Sequence, residues 1–197
     1  MTTTIHLRRL THLIWPLISL LVLALWTPLP AQAKIVKEPA ADINPVKDGN
    51  APGFDLHSLG VTSVRLTSKD LYGKKLVLIS FWATWCGPCV KEAPALNELY
   101  RDYKDQVQFI GISQDRSKTV QADMQAVANF VEAHALDYPM AMDSDGKYGD
   151  RFKVSSIPKL VFIDLKGNIV KEVIGFDTAE QLRTEFFANF PTVKKKP

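Results

Sequence analysis

The chain has two cysteines, and both lie in one short segment, Trp85-Cys86-Gly87-Pro88-Cys89, where its character changes. Before the pair, Leu76 to Trp82 (LVLISFW) is apolar apart from Ser80, the pattern of a strand buried on both faces of a sheet. After it, Ala93, Leu96, Leu99, Tyr100 and Tyr103 recur at helical spacing within Pro88 to Tyr103. The cysteines therefore mark a strand-to-helix junction.

A structural crosslink over two residues closes too short a loop to be a useful staple. A four-ligand metal site would have to recruit His57 and His134, far off in sequence, so no metal is expected. Redox chemistry suits the address. Cys86 would sit at or just before a helix N-terminus, where unpaired N–H groups and the positive dipole end favour a thiolate. Pro88 fits the first turn, where its missing N–H has no helical partner. Cys89 follows at i+3 on the same face, within reach of a mixed disulfide on Cys86. Cys86 is expected to be exposed and Cys89 buried.

Elsewhere Val107 to Ile112 reads as a second strand. Val120 to Ala135 reads as a helix with Met124, Val127, Ala128 and Val131 on one face, and Tyr138 to Met142 as a short third strand. Lys159 to Ile163 and Ile169 to Ile174 are strands joined across Lys166-Gly167-Asn168, a tight hairpin signal. Thr178 caps a last helix running to about Phe190. This order predicts an α/β fold, a mixed sheet with helices on both faces, in which the first two crossovers are right-handed and parallel and the terminal hairpin antiparallel.

Composition narrows the function classes. Of 197 residues, 46% are hydrophobic and 23% charged, an ordinary globular balance that excludes a disordered tail or a disulfide-dense scaffold. There are 24 basic and 21 acidic residues; Arg8 and Arg9 lie in the first 33, which hold no acid, leaving 22 against 21. Nothing in that balance suggests nucleic acid as a partner.

Residues 1–33 read as a secretory signal. His6, Arg8, Arg9 and His12 make a basic start, Leu13 to Trp26 carries no charge, and Ala31-Gln32-Ala33 gives a small-x-small cleavage pattern. Fourteen residues of helix span ~21 Å, short of the ~30 Å hydrocarbon core, although Leu10 to Leu29 could lengthen the run into an anchor. Residues 34–51 form a polar linker, 52–191 the folded domain and 192–197 a basic tail. The domain is thus expected outside the cytoplasm, periplasmic or otherwise exported, either free or tethered to the membrane by an uncleaved leader.

The segment Phe81-Trp82-Ala83-Thr84-Trp85-Cys86-Gly87-Pro88-Cys89 resembles the active-site segment of the thioredoxin superfamily. More narrowly, the chain is similar to exported thiol–disulfide oxidoreductases of the TlpA/ResA type, which include cytochrome c maturation thioredoxins. That similarity runs from Ala51-Pro52-Gly53-Phe54-Asp55-Leu56 through Gly73 to Ile79, Ile157-Pro158 and Phe162 to Gly167. It implies a thioredoxin-like domain with an extra N-terminal strand or hairpin and a helix inserted near 120–135. It implies a Cys86–Cys89 disulfide in the oxidised state, a cis peptide before Pro158, and a substrate-binding surface made by Trp85, Ile157 and Pro158. Glu92, one turn beyond Cys89, matches the glutamate that assists proton transfer in ResA-type proteins. Thioredoxins instead use an Asp in the preceding strand, where this chain has Ser80.

The leading expectation is therefore a protein-disulfide reductase with Cys86, Cys89 and Glu92 as catalytic residues. Its partners would be disulfide-bearing exported proteins and a membrane electron donor of the DsbD/CcdA kind. No cofactor is expected, since the chain carries no flavin or nicotinamide motif. A peroxidase of the peroxiredoxin kind is one alternative, weakened because Ala83 rather than Thr stands three residues before Cys86. A dithiol oxidase or isomerase would use the same atoms, and a redox-inert chaperone or docking module would not need them. Ile157, where many cytochrome c maturation reductases carry Thr, weakens that assignment of substrate.

Overall fold

The structure is a computed structural model, described here for residues 50–59, 63–117, 119–175 and 178–195. The leader, nearly all of the linker and the last two residues of the basic tail lie outside the described residues. A short antiparallel hairpin, β1 (Asp55–His57) and β2 (Arg65–Thr67), comes first, followed by a single turn of helix, α1 (Ser68–Leu71). The central sheet is built from β3 (Leu76–Trp82), β4 (Val107–Ser113), β5 (Met140–Met142), β6 (Lys159–Ile163) and β7 (Ile169–Ile174). Its strand order is β5-β4-β3-β6-β7. The pairs β3–β4 and β4–β5 are parallel, whereas β3–β6 and β6–β7 are antiparallel. This is the mixed sheet the sequence order predicts.

Helices α2 (Gly87–Tyr103), α3 (Val120–Ala133), α4 (Lys147–Arg151) and α5 (Ala179–Asn189) complete the fold. Strand pleating sends alternate side chains to opposite faces and so makes two cores. Leu76, Leu78 and Trp82 of β3 join Leu160 and Phe162 of β6 against α2, α3 and α5. Val77, Ile79 and Phe81 face the other way, with Val161 and Ile163, against the hairpin, α1 and α4. Every residue of β3 is buried, as its apolar run requires. The β6–β7 turn is closed by Gly167 at φ +78°, in the left-handed region that side chains disfavour.

One helix face differs from the expectation. Met124 is exposed, as is Ala128, whereas Asp123 and Val127 are buried and Phe130 and Val131 half-buried. The helix is turned so that Asp123 points inward, where its carboxylate accepts the Ser117 N–H at 2.9 and 3.1 Å. Phe130 packs instead on Trp82, with ring centroids 4.8 Å apart.

Candidate active site

Strand β3 ends at Trp82, the chain turns through Ala83, Thr84 and Trp85, and α2 begins at Gly87. Cys86 is the N-cap of α2, and its Sγ accepts the Cys89 N–H at 3.2 Å. Helices α1, α3 and α5 start on the hydroxyls of Thr67, Thr119 and Thr178, each accepting an N–H three residues on at 3.1 Å. The redox helix alone among these is capped by sulfur. An N-cap atom lies where orphan N–H groups converge, so negative charge on it is stabilised. Pro88 occupies the first turn and Pro94 lies inside the helix without ending it.

Cys86 and Cys89 are joined in a disulfide, with Cα atoms 5.2 Å apart. Cys89 is buried as expected, but Cys86 is only 5% exposed, contrary to the expectation that it would stand open. The physical reason is the cap itself: Sγ folds back over the first turn to meet Cys89. What protrudes is Trp85, 68% exposed, while Trp82 belongs to the core. The Ile157–Pro158 peptide is cis; Pro158 is buried and Ile157 half-buried, packed among the residues of both cores.

Glu92 is 2% exposed, and burial pushes its carboxyl up to about 8, so it holds a proton at neutral pH. None of the ion pairs or side-chain hydrogen bonds among the described residues reaches it. Its charge also disfavours ionisation of the fully buried Tyr138, whose own burial is the larger cause. Ser80 is buried on β3, on the same face as Leu78 and Trp82, and cannot act as a second acid.

Two further residues hold the site, and neither was anticipated from the sequence. Asp115, just beyond β4, is buried and accepts hydrogen bonds from Thr84 and Ser113. Lys159, the residue after the cis proline, is 2% exposed. Its Nζ donates to the carbonyls of Phe152 at 2.7 Å and Lys153 at 3.2 Å, and pairs with Glu172 at 2.8 Å. The only sequence signal for Lys159 is a charge standing at the head of an otherwise apolar strand. Among the described residues no group of three or more His, Cys, Asp or Glu is placed to hold a metal.

The profile of the AhpC/TSA family matches residues 48–172, which run from before β1 into β7 and include the cysteine junction. The chain belongs to the AhpC/TSA family. Among its relatives, the thiol-disulfide oxidoreductase ResA of Bacillus cereus is 39% identical over 133 residues, covering 67% of this chain and 72% of the relative. The sporulation thiol-disulfide oxidoreductase A of Bacillus subtilis is 32% identical over 167 residues, covering 84% and 91%. The crystal structure of StoA from Bacillus subtilis superposes with a TM-score of 0.55 at 27% identity, covering 67% of this chain and 94% of that one. With a cysteine pair at the head of α2, this AhpC/TSA member is a thiol–disulfide oxidoreductase of thioredoxin-like fold.

Proposed function

We propose that the enzyme runs in the reducing direction on disulfides of exported proteins. The observation that carries the dithiol chemistry is a sulfur-capped helix with a buried carboxyl one turn behind it; Gly87-Pro88 between the cysteines supports the reducing direction. The Cys86 thiolate attacks a substrate disulfide; one substrate sulfur bonds to Cys86 and the other leaves and takes a proton. Glu92 first releases its own proton to solvent; Cys89 then gives its proton to the resulting carboxylate and attacks Cys86, releasing the second substrate thiol. The dithiol loses two electrons and two protons, and the substrate gains both. The reverse exchange, with an exported dithiol donor at the membrane, restores the reduced enzyme.

Trp85 and the edge at Ile157 and Pro158 suit an extended substrate strand, which the Ile157 backbone can pair with. The exposure of Trp85 supports a docking role for that side chain. Residues 1–33 serve in this reading as an export leader or anchor and 34–51 as a tether. Peroxidase chemistry finds no support in the names of the relatives, which are thiol–disulfide oxidoreductases.

Direction is tested by the equilibrium potential of the Cys86–Cys89 couple in dithiol buffers. A value toward that of thioredoxin, ~−270 mV, is expected, and a value near ~−120 mV would make the enzyme an oxidase.

A further inference from the structure

Behind Glu92 lies a cleft of about 20 Å³, enough for one water molecule. Leu160, Val173 and Leu182 form its apolar walls, and Glu92, Thr178, Gln181 and Glu185 supply polar groups. Thr178 and Gln181 are exposed, so the cleft leads from a carboxyl that is 2% exposed to the surface between β7 and α5. Trp85, Ile157 and Pro158 are not among its walls.

We propose that this cleft is the route by which the Glu92 proton exchanges with solvent while a substrate covers the cysteine face. The inference rests on the reading that Glu92 serves Cys89. A carboxyl that rests protonated must lose its proton to bulk water before it can accept one from Cys89, and must regain one after giving it back. A single water bridging Glu92 to Gln181 or Glu185 provides that step without passing the docking face. Glu185 is held at the outer wall by Asn189, whose Nδ2 donates to Oε2 at 3.0 Å, and by Lys171 at 3.7 Å. The other titratable group that senses the Glu92 charge is Tyr138, whose phenol stays neutral through the working range.

Closing the cleft with apolar volume tests the route. Gln181→Met and Val173→Leu, singly and together, leave Cys86, Cys89 and Glu92 in place. Two measurements are made: single-turnover reduction of insulin disulfides at pH 7, and deuterium exchange of the Glu92 carboxyl with the cysteine face covered by insulin trapped on Cys86 in a Cys89→Ser background, followed by its infrared C=O band after transfer to D₂O. The double variant is expected to slow turnover roughly tenfold, less than the ~10²–10⁴-fold of losing an acid–base group outright, and to delay the isotope shift in parallel. An undelayed isotope shift overturns the route, whatever the turnover rate. Wild-type turnover in the closed variants also overturns it, while slow turnover of Glu92→Gln in the same assay leaves the role of Glu92 standing. Wild-type turnover of Glu92→Gln removes that role, and this route with it. Should the double variant melt early, Gln181→Met, at an exposed position, decides by the same two measurements.

Discussion

The carboxylate of Asp115 holds Thr84 twice, accepting its backbone N–H at 3.0 Å and its hydroxyl at 2.5 Å. The Ser113 hydroxyl donates to the same carboxylate at 2.6 Å. Two parallel neighbours, β3 and β4, end side by side at Trp82 and Ser113, so the loops that follow them are adjacent. Asp115 uses that adjacency to fasten the turn that delivers Cys86 to the head of α2.

Asp115→Ala should therefore leave three donors without that acceptor, the buried Ser113 hydroxyl and the two groups of half-buried Thr84. Each unsatisfied group costs about 1–3 kcal/mol, and partial rehydration should bring the total loss to ~2–4 kcal/mol. Thermal melts of the oxidised protein check the stability. Insulin reduction should fall with it, because the loop that positions Cys86 is no longer held. Asp115→Asn retains one acceptor oxygen and should lose less of both. Equal stability in wild type and Asp115→Ala would show that the loop is held by other means.

Lys159 does the same work behind the cis proline. Lys153 sits at φ +50°, in the left-handed region where a lysine backbone is disfavoured, and its carbonyl and that of Phe152 are held by the Lys159 ammonium. Lys159→Met keeps the length and apolar stem but drops the charge, stranding both carbonyls; Glu172, 43% exposed, can turn to water. A loss of about 2–4 kcal/mol is expected. Since Ile157 and Pro158 lie on the segment so fixed, kcat/KM for a protein disulfide should fall more than for a small aromatic disulfide. An equal fall for both substrates would assign Lys159 to stability alone.

Glu92 makes stability depend on pH in a stated direction. Its carboxyl titrates at about 8 in the folded protein, against ~4.3 in an unfolded chain. Between those values the folded state holds a proton that the unfolded state has lost. The contribution is thus complete below the unfolded value and disappears as pH rises through the folded one, with a slope of at most about 1.4 kcal/mol per pH unit. Denaturant unfolding of the oxidised protein from pH 4 to 9 should show wild type losing stability relative to Glu92→Gln across that window. A difference that does not change with pH would refute the raised carboxyl.

The covalent part of the site was readable because its chemistry and its address share one short segment, in which a buried strand, two cysteines and an N-terminal proline follow in order. The strands were readable for a similar reason: LVLISFW and KLVFI are runs that only a doubly covered sheet can bury. The inner face of α3 was misread because counting apolar residues takes no account of an Asp123 carboxylate turned inward to a backbone N–H. The burial of Cys86 depends on how its sulfur folds back on the helix, which spacing does not encode. Asp115 was invisible because its partner, Thr84, is 31 residues away. Lys159 was invisible because its carbonyl partners belong to a loop whose path only the fold defines.

The two sulfurs should behave differently as soon as the bond between them is opened. Cys86 caps α2, with the Cys89 N–H directed at its sulfur, so the reduced enzyme should carry its nucleophile there. Cys89 lies one turn inside, 2% exposed, among the residues of the α2 core. Iodoacetamide should therefore alkylate Cys86 first. The mechanism makes the same asymmetry visible with substrates. In Cys89→Ser the first attack still forms a Cys86–substrate disulfide, but no thiol remains to resolve it, so the adduct should accumulate. Cys86→Ser has lost the attacking sulfur and should trap nothing. Non-reducing gels of the two variants with insulin show the adduct directly, and exported extracts analysed by mass spectrometry would give the identity of natural substrates. Trapping by Cys86→Ser in place of Cys89→Ser would reverse the two roles.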